Sequence, residues 1–229
     1  MTSPIAVVTG AGRGIGRAIA IELAARGMDV ACLGRDGASL ASVAAEVEAK
    51  GRRALMAVCD VARSDEVAAA TKHVLNELGV PTVVIPNAGV VHRRSILDTT
   101  EEQWDEQIDV NLKGTFLFIR SFLPSMLAKK AGRFVAIGSI SGTMGTPRLA
   151  AYCASKWGTV GLVKALAEEL RGTGLQTMCV MPGSVDTDML KGSGFPPAMQ
   201  PEHVARIVAW LSLEAPSAMN GSCVDAFGP

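Results

Sequence analysis

The chain has 229 residues, a formal net charge of zero and a hydrophobic content of 48%. This length and apolar content fit a single globular domain with one buried core, and we expect residues 1–229 to form it. No long basic or acidic run occurs, so a nucleic-acid or membrane-surface partner is not expected. No apolar stretch is long enough to span a membrane.

The cysteine and histidine patterns exclude further classes. The five cysteines are scattered and form no C-x-x-C pair, which indicates reduced thiols in a cytoplasmic protein. The three histidines are far apart and lack metal-ligand spacing, so no metal site is expected. Residues 1–8 lack a basic region and an apolar core, and no signal peptide is expected.

Short β-branched runs alternate with longer Ala-rich helical patterns along the chain. Strands are predicted at 5–9, 29–33, 53–58, 82–86, 133–139, 175–181 and 222–226. Helices are predicted at 15–26, 38–50, 65–78, 101–130, 151–171 and 202–213. Thr99 and Glu102 have the spacing of a capping box that opens the fourth helix, and Pro124 is expected to kink or shorten it. This alternation predicts an α/β fold with a parallel sheet and helices on both faces.

A glycine-rich turn, TGAGRGIG at residues 9–16, joins the first predicted strand to the first predicted helix. Glycines there allow a tight turn and a close approach of the backbone to a pyrophosphate. The helix N-terminus supplies free N–H donors for the phosphates. The spacing is T-G-x-x-x-G-x-G and differs from G-x-G-x-x-G.

Tyr152 is the only tyrosine of the chain, and Lys156 follows it on the same helical face. A nearby cation favours the phenolate and lowers a phenol pKa from its usual value of about 10. Proton transfer to or from a carbonyl or alcohol oxygen then becomes feasible. The pair alone fits a structural tyrosine beside a solvated lysine equally well, so the rest of the chain must decide.

The glycine turn, Ser139 and the Tyr152-x-x-x-Lys156 pair together resemble the short-chain dehydrogenase/reductase family. Other motifs stand in the family's order: Asp60, Asn87-Ala88-Gly89, Asn111, Pro182-Gly183 and Thr187. The resemblance covers the whole chain and is strongest to bacterial 3-oxoacyl-thioester reductases. It implies a Rossmann-type, doubly wound, three-layer fold with seven parallel strands. It also implies an NAD(P)-dependent oxidoreductase that interconverts a ketone and a secondary alcohol.

The resemblance further implies roles for single residues. Tyr152 would be the catalytic acid/base, and Lys156 would lower its pKa and bind the nicotinamide ribose. Ser139 would orient the substrate oxygen, and Asn111 would hold a water in a proton relay. Asp60 would bind the adenine, and Asn87 would fix the cofactor and the central strand. The expected cofactor contacts are Gly10, Gly12, Arg13, Gly14, Ile15, Gly16, Arg35, Asp60, Val61, Asn87, Ala88, Gly89, Tyr152, Lys156, Pro182, Gly183, Val185 and Thr187.

The choice of cofactor depends on the end of the second strand. An acid there binds the ribose hydroxyls of NAD, whereas an Arg accommodates the 2′-phosphate of NADP. We read Gly34 as the usual position of the acid, followed by Arg35, whose guanidinium suits a phosphate. Arg13 could add a second positive contact. NADP(H) is therefore predicted, but Asp36 would favour NAD(H) if the strand ended one or two residues later.

The sequence gives less information about the substrate than about the cofactor. Residues 184–200 are expected to fold over it as a short apolar lid that leaves the site open, with wall residues Met144, Met189, Leu190 and Phe195. An acyl thioester on a carrier protein would require cations at the site mouth. Lys129, Lys130 and Arg171 are candidates, although cations at helix C-termini are also favoured by the helix dipole.

Two alternatives stay open. One is an NAD(H)-dependent dehydrogenase of an alcohol, polyol or steroid, and the other is a cofactor-binding regulator without turnover. The complete set of Asn111, Ser139, Tyr152 and Lys156 argues against the regulator. An epimerase or dehydratase is disfavoured by the glycine spacing. The resemblance also implies a homo-oligomer, either a dimer or a tetramer, and the aromatic residues of the fourth helical segment are candidates for its interface or for the core: Phe116, Phe118 and Phe122.

Overall fold

The structure is a computed structural model that describes residues 3–229. Met1 and Thr2, the start of the stretch considered above for a signal peptide, lie outside the described residues. Seven parallel strands in residues 3–229 form one sheet in the order β3-β2-β1-β4-β5-β6-β7. The strands are β1 Ile5–Thr9, β2 Asp29–Gly34, β3 Ala54–Val58, β4 Val83–Ile85, β5 Gly132–Ile137, β6 Leu175–Pro182 and β7 Cys223–Ala226.

Helices cover both faces of the sheet, which confirms the predicted three-layer, doubly wound fold. They are α1 Gly14–Ala25, α2 Gly37–Glu48, α3 Ser64–Glu77, α4 Glu101–Ile108, α5 Gly114–Lys129, α6 Ala150–Glu169 and α7 Pro201–Leu213. Buried side chains of α1, α2 and α7 form one core with the sheet, and those of α3, α5 and α6 form a second. None of the helices in residues 3–229 has the length and apolarity needed to cross a membrane.

The fourth helical segment differs from its prediction. A π-helical turn at Asp109–Lys113 separates α4 from α5, whereas Pro124 lies inside α5, which continues to Lys129. The expectation that Pro124 shortens the helix was therefore wrong. Of the three phenylalanines, Phe118 and Phe122 are fully buried in the core, and Phe116 is 43% exposed.

The capping box of α4 lies one residue later than predicted. Thr100 Oγ1 accepts a hydrogen bond from the Gln103 amide at 3.3 Å, and Gln103 Oε1 accepts one from the Thr100 amide at 3.4 Å. The predicted pair of Thr99 and Glu102 was wrong because Thr99 Oγ1 instead donates to the Ser95 carbonyl at 2.8 Å. Because Thr99 and Thr100 are adjacent, the sequence alone could not show which of them caps α4.

A buried hydroxyl joins the carboxyl ends of β1 and β4. Thr9 Oγ1 accepts hydrogen bonds from the Asn87 amide at 2.9 Å and the Ala88 amide at 3.0 Å. The Asn87 side chain in turn donates to the Thr9 carbonyl at 2.8 Å. The glycine turn and the loop after β4 are thereby fixed to each other at the edge where ligands bind in open parallel sheets.

We expect Thr9→Val to destabilise the protein because both amide donors lose their acceptor while the side-chain shape is kept. Each buried unsatisfied donor costs about 1–3 kcal/mol. Urea unfolding measures the change in the free energy of unfolding. Thr9→Ser keeps the hydroxyl and is the matched control. Equal stability of the valine and serine variants would show that the hydroxyl does not hold this edge together.

Candidate active site

The predicted catalytic residues meet at the carboxyl edge of the sheet. Ser139 follows β5, and α6 places Tyr152 and Lys156 one helical turn apart against that strand. Lys156 Nζ donates to the Ile137 carbonyl at 2.8 Å and lies 5.7 Å from the centre of the Tyr152 ring. All three side chains are buried, with exposed fractions of 4–9%.

Burial dominates the protonation of Tyr152. It raises the pKa of the phenol above its ordinary value of 10, although a hydrogen bond with the Ser139 side chain and the positive charge of Arg93 act in the opposite direction. The Ser139 oxygen already accepts a hydrogen bond from the Ser141 amide at 3.1 Å, which leaves its hydroxyl proton available. At neutral pH the phenol is therefore protonated and able to donate.

Lys156 lies beside Tyr152, and its Nζ donates a hydrogen bond to the Ile137 carbonyl. Burial outweighs the groups that lower the phenol pKa. Burial lowers the pKa of Lys156 itself to about 8. The sequence revealed that the two side chains are neighbours but not that both would be removed from water, and desolvation opposes the charged form of each.

Asn111 positions the site from within the π-helical turn. Its side-chain amide donates to the Val90 carbonyl and to Ser155 Oγ, both at 3.0 Å, and its Oδ1 accepts from the Val90 amide at 2.8 Å. Ser155 Oγ then donates to the Tyr152 carbonyl at 2.7 Å. These bonds fix the loop after β4 to the helix that carries Tyr152. The sequence analysis missed Ser155, and the only signal was a small hydroxyl residue directly before Lys156.

The glycine turn fits the pyrophosphate of a dinucleotide. Gly10 has a φ of +64°, and a Cβ there would lie 2.9 Å from the Ala88 Cα, so only glycine suits the position. No side chain caps α1, and no acidic residue occupies its first turn. The N–H groups of this turn and the positive end of the helix dipole thus have no competing carboxylate.

β2 ends one residue later than predicted, at Gly34 instead of Leu33. Arg35 follows as an exposed side chain. Asp36 is the N-cap of α2 and accepts hydrogen bonds from the Ala38 and Ser39 amides at 3.2 and 3.3 Å. Because capping occupies this carboxylate, Asp36 is a poor candidate for binding a ribose.

Two other predicted cofactor residues have partners of their own. Asp60 Oδ1 accepts from the Ala62 amide at 2.9 Å, which fixes the turn after β3. The Arg13 guanidinium lies 3.6 Å from the Asp188 carboxylate, and both groups are largely exposed. Arg13 therefore reaches toward the segment after β6.

The segment after β6 returns to the glycine turn and to the loop after β4. A Cβ on Gly14 would lie 3.2 Å from Thr187 Cγ2, and one on Gly89 would lie 3.8 Å from Met189 Cε. Val185 is buried in the core, so a cofactor can meet only its backbone.

Leu190 and Phe195, two of the four predicted wall residues, line one cavity. The cavity has a volume of about 230 Å³ and is also lined by Thr187. Met144 and Phe195 are 51% and 57% exposed.

The candidate docking cations lie at the wrong edge of the sheet. Lys129 and Lys130 end α5, Arg171 follows α6, and each precedes the start of a strand. Lys129 Nζ donates to the Val80 carbonyl, ahead of β4, and Arg171 pairs with Glu168 at 2.6 Å. Within one chain these cations do not border the site, so that expectation was wrong.

Arg93 was missed by the sequence analysis. It lies in the loop after Asn87-Ala88-Gly89, and its Nη2 donates to the Met189 carbonyl at 2.7 Å. Its charge also acts on Tyr152. The only sequence signal was the basic run His92-Arg93-Arg94 directly after a motif already assigned to the site.

We expect Lys156→Met to change how stability depends on pH. Lys156 has a pKa of about 8 in the folded protein and an ordinary value of 10.5. Between these values the unfolded chain binds more protons, so a rise in pH stabilises the wild type through this residue. Below the window the lysine is protonated in both states.

Urea unfolding without cofactor at pH about 7.5 and about 9.5 tests this linkage. The free energy of unfolding of the wild type minus that of Lys156→Met should rise between the two pH values. Lys72→Met, at an exposed position of α3, is the control and should show no such rise. A flat difference for Lys156→Met would contradict the lowered pKa.

Comparisons with known proteins agree with this geometry. The family model of the short chain dehydrogenases matches residues 4–194. The chain is 36% identical to the 3-oxoacyl-[acyl-carrier-protein] reductase of Synechocystis over 95% of this chain and 92% of that protein. It is 40% identical to the reductase of the same name from Staphylococcus epidermidis over 80% of this chain and 76% of that protein.

A solved structure shares the whole architecture. A short-chain type dehydrogenase/reductase from Mycobacterium marinum superimposes with a TM-score of 0.94 at 29% identity, over 99% of this chain and 95% of that one. The matched family, the relatives and the fold agree with one another. The chain belongs to the short-chain dehydrogenase/reductase family and is an NAD(P)-dependent oxidoreductase.

Proposed function

We propose that the chain uses NADP(H) to interconvert a ketone and a secondary alcohol, with Tyr152 as the proton donor and acceptor. The observation that carries this proposal is the buried group of Tyr152, Ser139 and Lys156 beside the carboxyl ends of the strands. The phenol there stays protonated at neutral pH because burial raises its pKa. A protonated phenol is the form that ketone reduction requires.

The protein residues manage the oxygen of the substrate. The Ser139 hydroxyl donates a hydrogen bond to the carbonyl oxygen and stabilises the negative charge that develops on it. Tyr152 gives its proton to the same oxygen, and the Lys156 ammonium supports the phenolate that remains. The bound nicotinamide supplies or accepts the hydride. In alcohol oxidation Tyr152 takes the proton back.

The preference for NADP(H) follows from the end of β2. Arg35 is exposed directly after Gly34, while the Asp36 carboxylate is held by the first turn of α2. A guanidinium suits a 2′-phosphate in charge and geometry, and no free acid at this position suits the ribose hydroxyls of NAD.

A 3-oxoacyl thioester is the leading substrate class. Two relatives that cover most of the chain are named 3-oxoacyl-[acyl-carrier-protein] reductase. Residues 184–200 act as the lid of the domain, since Met189 already lies against the loop after β4.

Tyr152→Phe tests the mechanism. It removes only the hydroxyl and should lower kcat/KM by roughly 100- to 10,000-fold, the usual contribution of a positioned acid or base. Turnover is measured by the absorbance of NADPH with a panel of ketones that includes acetoacetyl thioesters. NADPH affinity and thermal unfolding serve as controls and should change little. Near-wild-type turnover would rule out the proposed role.

Arg35→Ala tests the choice of cofactor. The ratio of kcat/KM with NADPH to that with NADH should fall roughly 10- to 100-fold, because one charge-assisted contact with the 2′-phosphate is lost. Arg26→Ala is the matched control, because Arg26 lies at the C-terminal end of α1, away from the glycine turn. It should leave the ratio unchanged. If the wild type prefers NADH, or if Arg35→Ala keeps the NADPH preference, the assignment is wrong.

A further inference from the structure

Three arginines from two loops gather beside the substrate side of the site. Arg93 and Arg94 lie in the loop after β4, and Arg148 lies two residues before the start of α6. The Arg94 amide donates to the Arg148 carbonyl at 3.0 Å, and Arg148 Nη2 donates to the Arg93 carbonyl at 3.5 Å. The two loops are therefore held together with their positive charges at the same place.

Arg93 connects the loop after β4 to the segment after β6. One nitrogen of its guanidinium donates to the Met189 carbonyl at 2.7 Å. Met189 also lies 3.8 Å from the position of a Cβ on Gly89, so this contact places Arg93 beside the loop after β4 that borders the site. The positive charge of Arg93 also acts to lower the pKa of the Tyr152 phenol. A guanidinium carries five N–H donors, and most of those on Arg93 have no protein acceptor within residues 3–229.

These charges lack counter-ions in the described part of the chain. No carboxylate of residues 3–229 forms an ion pair with Arg93, Arg94 or Arg148, and nearby acids are engaged elsewhere. Asp188 pairs with Arg13 and Lys191, and Glu106 contacts His92. Three like charges without a partner attract an anion to this side of the site.

The backbone conformation of Arg148 is a second observation that indicates a functional role for this residue. Its φ is +64°, a left-handed conformation that costs a non-glycine residue roughly 1 kcal/mol or more. Glycine would adopt this conformation without strain, yet the position holds a long cationic side chain. Strain of this kind is common where a residue must be presented to a ligand.

We propose that the substrate carries an anionic group, a carboxylate or a phosphate, and that Arg93 and Arg148 bind it while Tyr152 and Ser139 hold the carbonyl. The inference rests on the proposed function and adds the substrate class to it. Guanidinium groups pair with carboxylate and phosphate oxygens through two parallel hydrogen bonds. Arg94 is more exposed than Arg93 and contributes to the local positive field.

Matched charged and neutral ketones test the proposal. One pair is a 3-, 4- or 5-oxo acid and its methyl ester, which differ in a carboxylate. The other pair is acetoacetyl-4′-phosphopantetheine and acetoacetyl-pantetheine, which differ in one phosphate. The wild type should prefer the charged member of at least one pair by tenfold or more in kcat/KM, and which pair responds identifies the anion.

Two variants locate the effect. Arg93→Gln and Arg148→Gly should each raise KM tenfold or more for the preferred anionic substrate and change KM for its neutral partner less than threefold. Arg148→Gly should also keep the thermal stability of the wild type, because it relieves the left-handed conformation. Arg171→Gln, at the opposite edge of the sheet, is the control and should leave both values unchanged.

Several results would overturn the inference. One is that the wild type uses the charged and the neutral substrate of each pair with equal kcat/KM. Another is that Arg93→Gln raises KM equally for the charged and the neutral substrate, because Arg93 would then only hold Met189 in place. If the wild type reduces neutral ketones and shows no preference for anionic ones, the inference fails and the proposed function is retained. If no ketone of the panel is reduced, the proposed function itself fails.

Discussion

The removal of Tyr152 and Lys156 from water is the constraint on which the site depends. Burial disfavours the charged form of each side chain, so it raises the pKa of the phenol and lowers that of the ammonium to about 8. Within residues 3–229 no carboxylate pairs with Lys156, and the Ile137 carbonyl is its hydrogen-bond acceptor. The site therefore holds a protonated acid beside a cation that is easily neutralised, an arrangement suited to passing a proton to a substrate oxygen.

The parallel sheet makes this arrangement possible. Its strands end at one edge, and the loops that follow β1, β4, β5 and β6 supply the glycine turn, Asn87, Ser139 and Thr187. Two buried bond networks hold these loops in register. Thr9 ties the first turn to the loop after β4, and Asn111 ties that same loop to α6 through Ser155. Rigid elements thus position the reacting groups, as a precise site requires.

Sequence spacing predicted most of this framework. The alternation of strands and helices determined the layers, and the pairing of Tyr152 with Lys156 followed from the helical repeat. Features that depend on tertiary contacts were not predictable. The π-helical turn at Asn111 interrupts a segment that sequence favours as one helix, and the reach of Arg93 to Met189 crosses 96 residues of chain. The direction of the Tyr152 pKa was missed for the same reason, since desolvation appears only after the chain has packed.

Tyr152 is the only tyrosine of the chain, so the ultraviolet absorption of phenolate reports its ionisation directly. Titration of the protein with and without NADP⁺ measures the phenol under both conditions. The phenol should ionise above its ordinary value of 10 in the free protein, because it is buried. It should ionise at clearly lower pH with NADP⁺ bound, because a nearby cation favours the phenolate. A phenol that titrates at the same pH in both samples would contradict the central claim that Tyr152 exchanges its proton next to the nicotinamide.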